Sequence, residues 1–175
     1  MADTVPGNTS TTQTLNIGAS ASSAIDLAGD ADWWRVSLLQ GWGYRIWVEG
    51  AGTGHGSLLD PYLGFYSGTG TLLLSNNDRA PGVLDSYLYA TATAGSGTYF
   101  LSAEEFGHNA TGTYTITIER DVLDNATTAA SVAVNGSLST SIDWNGDRDW
   151  VAVSLIAVLV LQAAGQHGWQ QWQAA

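Results

Sequence analysis

Short runs of strand-like composition, separated by glycine or asparagine turns, restrict the fold of this chain more than any other feature. Threonine, valine and tyrosine, which favour extended backbone, are frequent in these runs. The run 113–119 alternates strictly, with Tyr114, Ile116 and Ile118 on one face and threonines on the other. Because no stretch of useful length has a helical period, the chain is predicted to be all-β.

The number and spacing of the runs predict an antiparallel β-sandwich with jelly-roll-like connections. The sequence contains no cysteine, so packing or a metal ion must stabilise the domain in place of disulfides. Within the run 32–38 we expect Trp34, Val36 and Leu38 to face the core. The nine predicted strands are 14–17, 22–27, 32–38, 44–49, 62–66, 71–75, 86–92, 98–103 and 113–119.

An internal duplication divides the chain into parts. Residues 8–38 align without a gap on residues 125–155, a shift of 117, with 13 identities in 31 positions. The shift is too long for a solenoid repeat and equals the length of a small domain. We therefore expect a complete sandwich over 1–119 and the first part of a second copy over 120–155. The tail 156–175 matches nothing in the first copy, as a frameshift or an artificial end would produce.

The charge of the chain excludes one class of partner. Five basic residues against sixteen acidic ones give a net charge of −11, so the chain lacks the basic surface that nucleic acids require. The acidity fits either solubility outside the cell or carboxylates that hold calcium. The N-terminus has no signal-peptide pattern, and the longest apolar run, 155–161, is too short to span a membrane.

The sequence lacks the patterns that common hydrolases need. It has no His-Glu-x-x-His pair for zinc, no Gly-x-Ser-x-Gly elbow and no cysteine nucleophile. The carboxylates of Glu104 and Glu105 are adjacent on a predicted strand, so they point to opposite faces. We therefore expect the chain not to be an enzyme.

Four segments together resemble the bacterial pre-peptidase C-terminal domain. They read GDADWWRVSL, DPYLGFYSGTGTLLLSNND, SGTYFLSAEE and GTYTITI, and the resemblance covers residues 3–119 and the repeat from 121 to 155. Members often have further acidic and glycine residues after the Asn77-Asp78 pair, where this chain has Arg79, Ala80 and Pro81.

The resemblance implies a non-catalytic β-sandwich module of a secreted bacterial protein, often a peptidase, that commonly occurs in tandem. Its expected role is targeting, spacing or stabilisation of the parent protein, outside the cell or at its surface. Its expected partner is the parent catalytic domain or a neighbouring module. Some members of the family bind calcium and matrix protein.

Two aspartates that bracket a turn, Asp30 and Asp32, are the predicted calcium ligands, with Asp3 and Asn8 from the preceding segment. Calcium takes six to eight oxygen ligands, and carboxylates near a turn can supply several of them. The alternative is that Asp30 caps its own turn while Asp32 is solvated at the start of a strand. In the second copy, the candidates are Asp121, Asp124 and Asn125 beside Asp147 and Asp149.

An aromatic surface is the second predicted site. Trp33, Arg35, Arg45 and Trp47 are expected on the outward face of adjacent strands, where they would bind an extracellular polysaccharide or a matrix protein. On this hypothesis the chain is a stand-alone binding module. The alternative is that a neighbouring domain, or the second copy, covers these side chains.

Overall fold

The computed structural model describes residues 5–155, and most of that range belongs to a two-layer β-sandwich. Between residues 5 and 155 no helix is long and apolar enough to cross a membrane. The strands are β1 Ala19–Ile25, β2 Ala31–Leu38, β3 Trp42–Glu49, β4 Pro61–Tyr66, β5 Leu72–Asn76, β6 Ser86–Thr91, β7 Gly97–Glu105 and β8 Gly112–Val122, followed by the short β9 Ser131–Val132 and β10 Ala152–Val153.

The first eight strands have the topology of a jelly roll. One sheet has the order β1-β8-β3-β6 and the other the order β2-β7-β4-β5, and all neighbours are antiparallel. Successive strands mostly alternate between the two sheets, as two interleaved Greek keys require. The predicted antiparallel sandwich is confirmed, with eight strands rather than nine. The ninth run, 14–17, forms only a single parallel bridge, between Thr14 and Arg35.

The core lies between the two sheets and follows the period-two pattern of the sequence. Tyr114, Ile116 and Ile118 of β8 are fully buried, as the alternation predicts. From the facing sheet, Val36 and Leu38 of β2 are also buried, and the predicted inner face of that strand is confirmed. Further core residues are Leu15, Ile25, Trp34, Tyr44, Ile46, Val48, Leu58, Leu63, Phe65, Tyr99 and Leu101.

The carboxylate of Asp32 is a buried polar group that links the two sheets. The Asp32 carboxylate, on β2, is only 1% exposed, and its Oδ2 accepts a hydrogen bond of 2.6 Å from the Tyr114 hydroxyl of β8. The same hydroxyl oxygen accepts a bond of 2.9 Å from the indole Nε1 of Trp34. Burial, followed by the charge of Asp32, raises the pKa of Tyr114 well above its ordinary value. The hydroxyl therefore stays protonated and donates to the carboxylate.

The last strand of the sandwich extends beyond residue 119. β8 continues to Val122, and its final three residues pair with the start of β3 from Trp42 to Tyr44. The guanidinium of Arg120 lies 4.2 Å from the ring centre of Trp42, and Val122 is 6% exposed. Residues 120–122 therefore belong to the first sandwich.

The segment 123–155 repeats the turns and the bridge of residues 6–38, although residues 136–142, the counterparts of β1, form no strand. Gly29 and Gly146, at the shared turn, have φ angles of 84° and 97°, which the missing Cβ of glycine makes accessible. The parallel bridge between Thr14 and Arg35 recurs 117 residues later as the pairing of β9 with β10. Five backbone bonds recur at the same shift: Thr11 N to Asn8 O with Thr128 N to Asn125 O, Ala19 N to Asn16 O with Gly136 N to Ala133 O, Asp30 N to Leu27 O with Asp147 N to Trp144 O, Trp33 N to Pro6 O with Trp150 N to Leu123 O, and Arg35 N to Gln13 O with Ala152 N to Ala130 O.

We call residues 123–155 the second arm. The arm packs on the first sandwich, where Ala129 N donates to Gly41 O at 2.7 Å and Ala130 is 1% exposed. Its assignment to a truncated second copy stays a prediction, and the predicted tail 156–175 lies outside the described residues.

Candidate functional site

The predicted calcium ligands of the first copy are partly occupied by the protein's own groups, but Oδ2 of Asp30 is buried without a hydrogen-bond partner among residues 5–155. Asp30 is half-buried, and its Oδ1 accepts from the backbone N of Ala31 at 2.8 Å. Asp32 is buried and accepts a hydrogen bond from the Tyr114 hydroxyl, so the alternative that Asp32 is solvated at the start of a strand is wrong. Asn8 is exposed and accepts from Ser10 N at 2.9 Å through its own Oδ1. Asp3 lies outside the described residues.

In the second arm the equivalent aspartates converge with the end of β8. One carboxylate oxygen each from Asp121, Asp147 and Asp149 lie within 4.8 Å of one another. We call these three residues the acidic cluster. Asp121 comes from the sandwich, whereas Asp147 and Asp149 follow the Gly146 turn of the second arm. The cluster therefore joins the two parts of the chain.

Asp121 is the most deeply buried member of the acidic cluster. Its side chain is 4% exposed, and Oδ1 accepts from its neighbour Val122 N at 2.9 Å. Its Oδ2 is buried with no hydrogen-bond partner among residues 5–155. A buried carboxylate oxygen without a donor is costly unless a cation or a proton is present.

The electrostatics of the cluster also disfavour three bare charges. Burial, followed by the charge of Asp147, raises the pKa of Asp121 to about 6. The nearby guanidinium of Arg45 lowers it, but Arg45 also pairs with Asp143 at 2.6 Å and Glu119 at 3.2 Å. The single positive charge of Arg45 is thus shared among the carboxylates of Asp121, Asp143 and Glu119, and it does not neutralise all of them.

The residues of the acidic cluster fit a calcium ion by their chemistry. Carboxylate oxygens are the hard ligands that calcium prefers, and backbone carbonyls and water complete its shell. Oδ2 of Asp121 and Oδ1 of Asp149 are the buried oxygens of the cluster that lack a hydrogen-bond partner among residues 5–155. Of the other predicted residues, Asp124 is exposed, and Asn125 Oδ1 accepts from Thr127 N at 2.9 Å.

The two copies differ at one position that matters for this cluster. The residue 117 positions before Asp121 is Thr4, so the first copy has no carboxylate there. Asp147 and Asp149 correspond to Asp30 and Asp32. Sequence reasoning named these residues, but it did not distinguish the buried role of Asp32 from the cluster role of Asp149.

The predicted aromatic surface is wrong, because its residues lie on different sheets. Trp33 is on β2, is 9% exposed, and packs against Tyr66 at a ring-centre distance of 4.1 Å. Trp47 is on β3, which pairs with β6 and β8 rather than with β2. Adjacent strands in a jelly-roll sequence alternate between sheets, so they do not present one surface. Arg35 is exposed beside Trp33, with its guanidinium 5.9 Å from the ring centre of Phe100.

A different aromatic groove forms around Trp47. Trp47 contacts Tyr87 at a ring-centre distance of 5.4 Å, and Trp144 of the second arm lies across a cavity of about 440 Å³. The Arg45 guanidinium is 5.6 Å from the ring centres of both tryptophans, and Arg79 lines the same cavity. The sequence offers one indication of the role of Trp144: it stands where the first copy has Leu27.

No family model and no curated protein matches the chain. Solved structures do match. The pre-peptidase C-terminal domain of collagenase from Bacillus anthracis matches with a TM-score of 0.44 and 14% identity, over 61% of this chain and 93% of that one. PliG, a periplasmic inhibitor of g-type lysozyme, matches in two organisms. The Aeromonas hydrophila protein has a TM-score of 0.40 and 10% identity, over 61% of this chain and 96% of that one.

The Salmonella Typhimurium PliG has a TM-score of 0.36 and 19% identity, over 62% of this chain and 99% of that one. A pre-peptidase C-terminal domain, the family that the sequence motifs resemble, is thus among the matching solved structures. The sandwich itself is established by the strand pairing described above.

Proposed function

We propose that this chain is a non-catalytic accessory domain of a secreted bacterial protein, and that calcium fixes its second arm on its sandwich. The observation that carries the proposal is the buried, unpartnered Oδ2 of Asp121 beside the carboxylates of Asp147 and Asp149. Such a module would target, space or stabilise a parent protein, which the motif resemblance suggests is a peptidase. Its partner would be the parent catalytic domain or a neighbouring module.

The position of the acidic cluster explains how a bound ion would help the module to act as a spacer within its parent protein. Asp121 belongs to β8 of the sandwich, and Asp147 and Asp149 belong to the segment that leads into β10. An ion shared by the three would set the direction in which the chain leaves the first unit. Calcium is the cation whose ligand preference matches three carboxylates with variable geometry, whereas magnesium requires a strict octahedron.

Calorimetric titration of the full chain with calcium chloride tests this proposal. We expect one ion per chain and an affinity about tenfold lower at pH 5 than at pH 7.5. The reason is that a proton competes for Asp121, whose pKa is about 6. Asp147→Asn should weaken binding, whereas Asp30→Asn, the matched change in the first copy, should not. Absence of binding at pH 7.5 would refute the calcium site.

The aromatic groove supports a second candidate function, the binding of an extracellular polysaccharide or matrix protein. Trp47 and Tyr87 are half-buried and Trp144 is 42% exposed, so parts of three rings border one cavity. Aromatic faces with nearby guanidinium groups suit sugar rings or peptide side chains. Trp33 would take no part, because it is buried on the other sheet.

Replacement of Trp47 by alanine is the test of the groove. We expect the wild type to be retained on at least one of cellulose, chitin, xylan or collagen fibrils, and Trp47→Ala to be eluted early. Trp150→Ala is the control, since Trp150 is 51% exposed and does not line this cavity. If none of the four supports retains the wild type, or if both variants elute alike, the groove is not the binding site.

A further inference from the structure

The second arm exposes apolar side chains that the first copy buries. Val151, Val153 and Leu155 are 36%, 51% and 76% exposed. Their counterparts 117 positions earlier are Trp34, Val36 and Leu38, which are 6%, 0% and 1% exposed. Backbone hydrogen bonds recur between the two copies, although β10 spans only Ala152–Val153 where β2 spans Ala31–Leu38. The second arm therefore presents a short strand flanked by exposed apolar side chains.

The first copy shows what covers this face. β7 pairs antiparallel with β2, placing Leu101 opposite Trp34 and Tyr99 opposite Val36. The inward residues Tyr99, Leu101 and Ala103 of β7 are at most 2% exposed. In the second arm, β10 pairs with β9 on one edge, and no strand within residues 5–155 pairs with its other edge.

We propose that the free edge of β10 is a docking site for an extended strand donated by a partner polypeptide. The strand runs antiparallel to β10 and carries apolar side chains at alternate positions, as β7 does. Backbone hydrogen bonds to the edge supply affinity, and the alternate side chains that cover Val151, Val153 and Leu155 supply specificity.

Charge further defines the partner strand. In the first copy, Glu104 of β7 lies opposite Ala31 of β2. The counterpart of Ala31 in the second arm is the exposed Arg148. An acidic residue at that position of the donated strand would face a cation. A second copy of this chain is a poorer occupant, because each chain carries a net charge of −11.

The test uses the full chain and a labelled peptide with the sequence of residues 96–106, which spans β7. We expect saturable binding by fluorescence anisotropy at physiological salt. Val153→Asp should weaken binding at least tenfold, because a carboxylate would then be buried against the peptide. Ala152→Asp, on the opposite face of the same strand, should bind as the wild type does. Val153 is exposed, so the melting transition of the sandwich should be unchanged in both variants.

Four results would overturn the proposal. The first is absence of peptide binding, and the second is equal binding by Val153→Asp and the wild type. The third is a dimer in sedimentation that Val153→Asp dissociates, which would assign the face to a second copy. The fourth is slow amide exchange at Val153 before peptide is added, because the chain's own residues would then already cover the edge; Ala152 is left out, since its amide already donates to Ala130 O.

Discussion

Replacement of Asp32 by alanine is expected to lower the free energy of unfolding by about 2–3 kcal/mol, the usual cost of losing a buried hydrogen bond to a charged group. Asp32 is 1% exposed and holds the Tyr114 hydroxyl at 2.6 Å across the two sheets. The same substitution at Asp149, its counterpart in the repeat, should cost less than about 1 kcal/mol in chelator, because the Thr140 bond it loses is exposed.

Urea unfolding of Asp32→Ala, Tyr114→Phe and the double variant measures this link. We expect the two single changes to be strongly non-additive, since each removes one end of the same hydrogen bond. Tyr62→Phe, which removes a hydroxyl from a half-buried ring, is the control and should have a small effect. Equal costs for Asp32→Ala and Asp149→Ala would mean that Asp32 is only a solvated turn residue.

The sequence was sufficient for the fold because its signal was local. Alternation along the run 113–119 and within 32–38 predicted which side chains face the core, and Tyr114 and Val36 are buried accordingly. The run 14–17 had the composition of a strand but forms only the bridge from Thr14 to Arg35. Composition records local preference, whereas pairing depends on which edges the rest of the fold leaves free.

The candidate site was predicted only in part, because its determinants are long-range. Asp32 and Asp149 occupy the same motif position, yet one is fixed by Tyr114, 82 residues away, and the other joins Asp121. Nothing near either aspartate in the sequence separates these roles. The prediction that Trp33 and Trp47 share one surface failed for a related reason, since the consecutive strands β2 and β3 lie in opposite sheets of the jelly roll.

Calcium is expected to raise the melting temperature of the full chain by about 5–10 °C when it is present at a hundredfold excess over its dissociation constant. Such an excess stabilises the folded state by about 2.7 kcal/mol. For a chain of this length each kcal/mol corresponds to about 2–4 °C. Asp147→Asn and Asp149→Asn should remove most of the shift, while Asp30→Asn should retain it. Magnesium should produce a smaller shift.

Without calcium, the pH dependence of the stability of the chain should reflect the titration of Asp121. Its pKa is raised from 3.8 to about 6 in the folded protein, so the folded state binds more protons than the unfolded state between these values. Its contribution to stability is therefore largest below pH 4, falls as the pH rises to 6, and is lowest above that. In chelator, Asp121→Asn should consequently raise the melting temperature at pH 7 and flatten its dependence on pH between 4 and 6.

Thermal unfolding at pH 7 in chelator and in millimolar calcium compares these variants directly. For Asp121→Asn the two conditions should differ little, because the variant lacks both the buried charge and one ligand. A calcium shift that survives in Asp121→Asn and Asp147→Asn would place the ion elsewhere in the chain. Equal melting temperatures of the wild type in the two conditions would mean that calcium does not bind the acidic cluster.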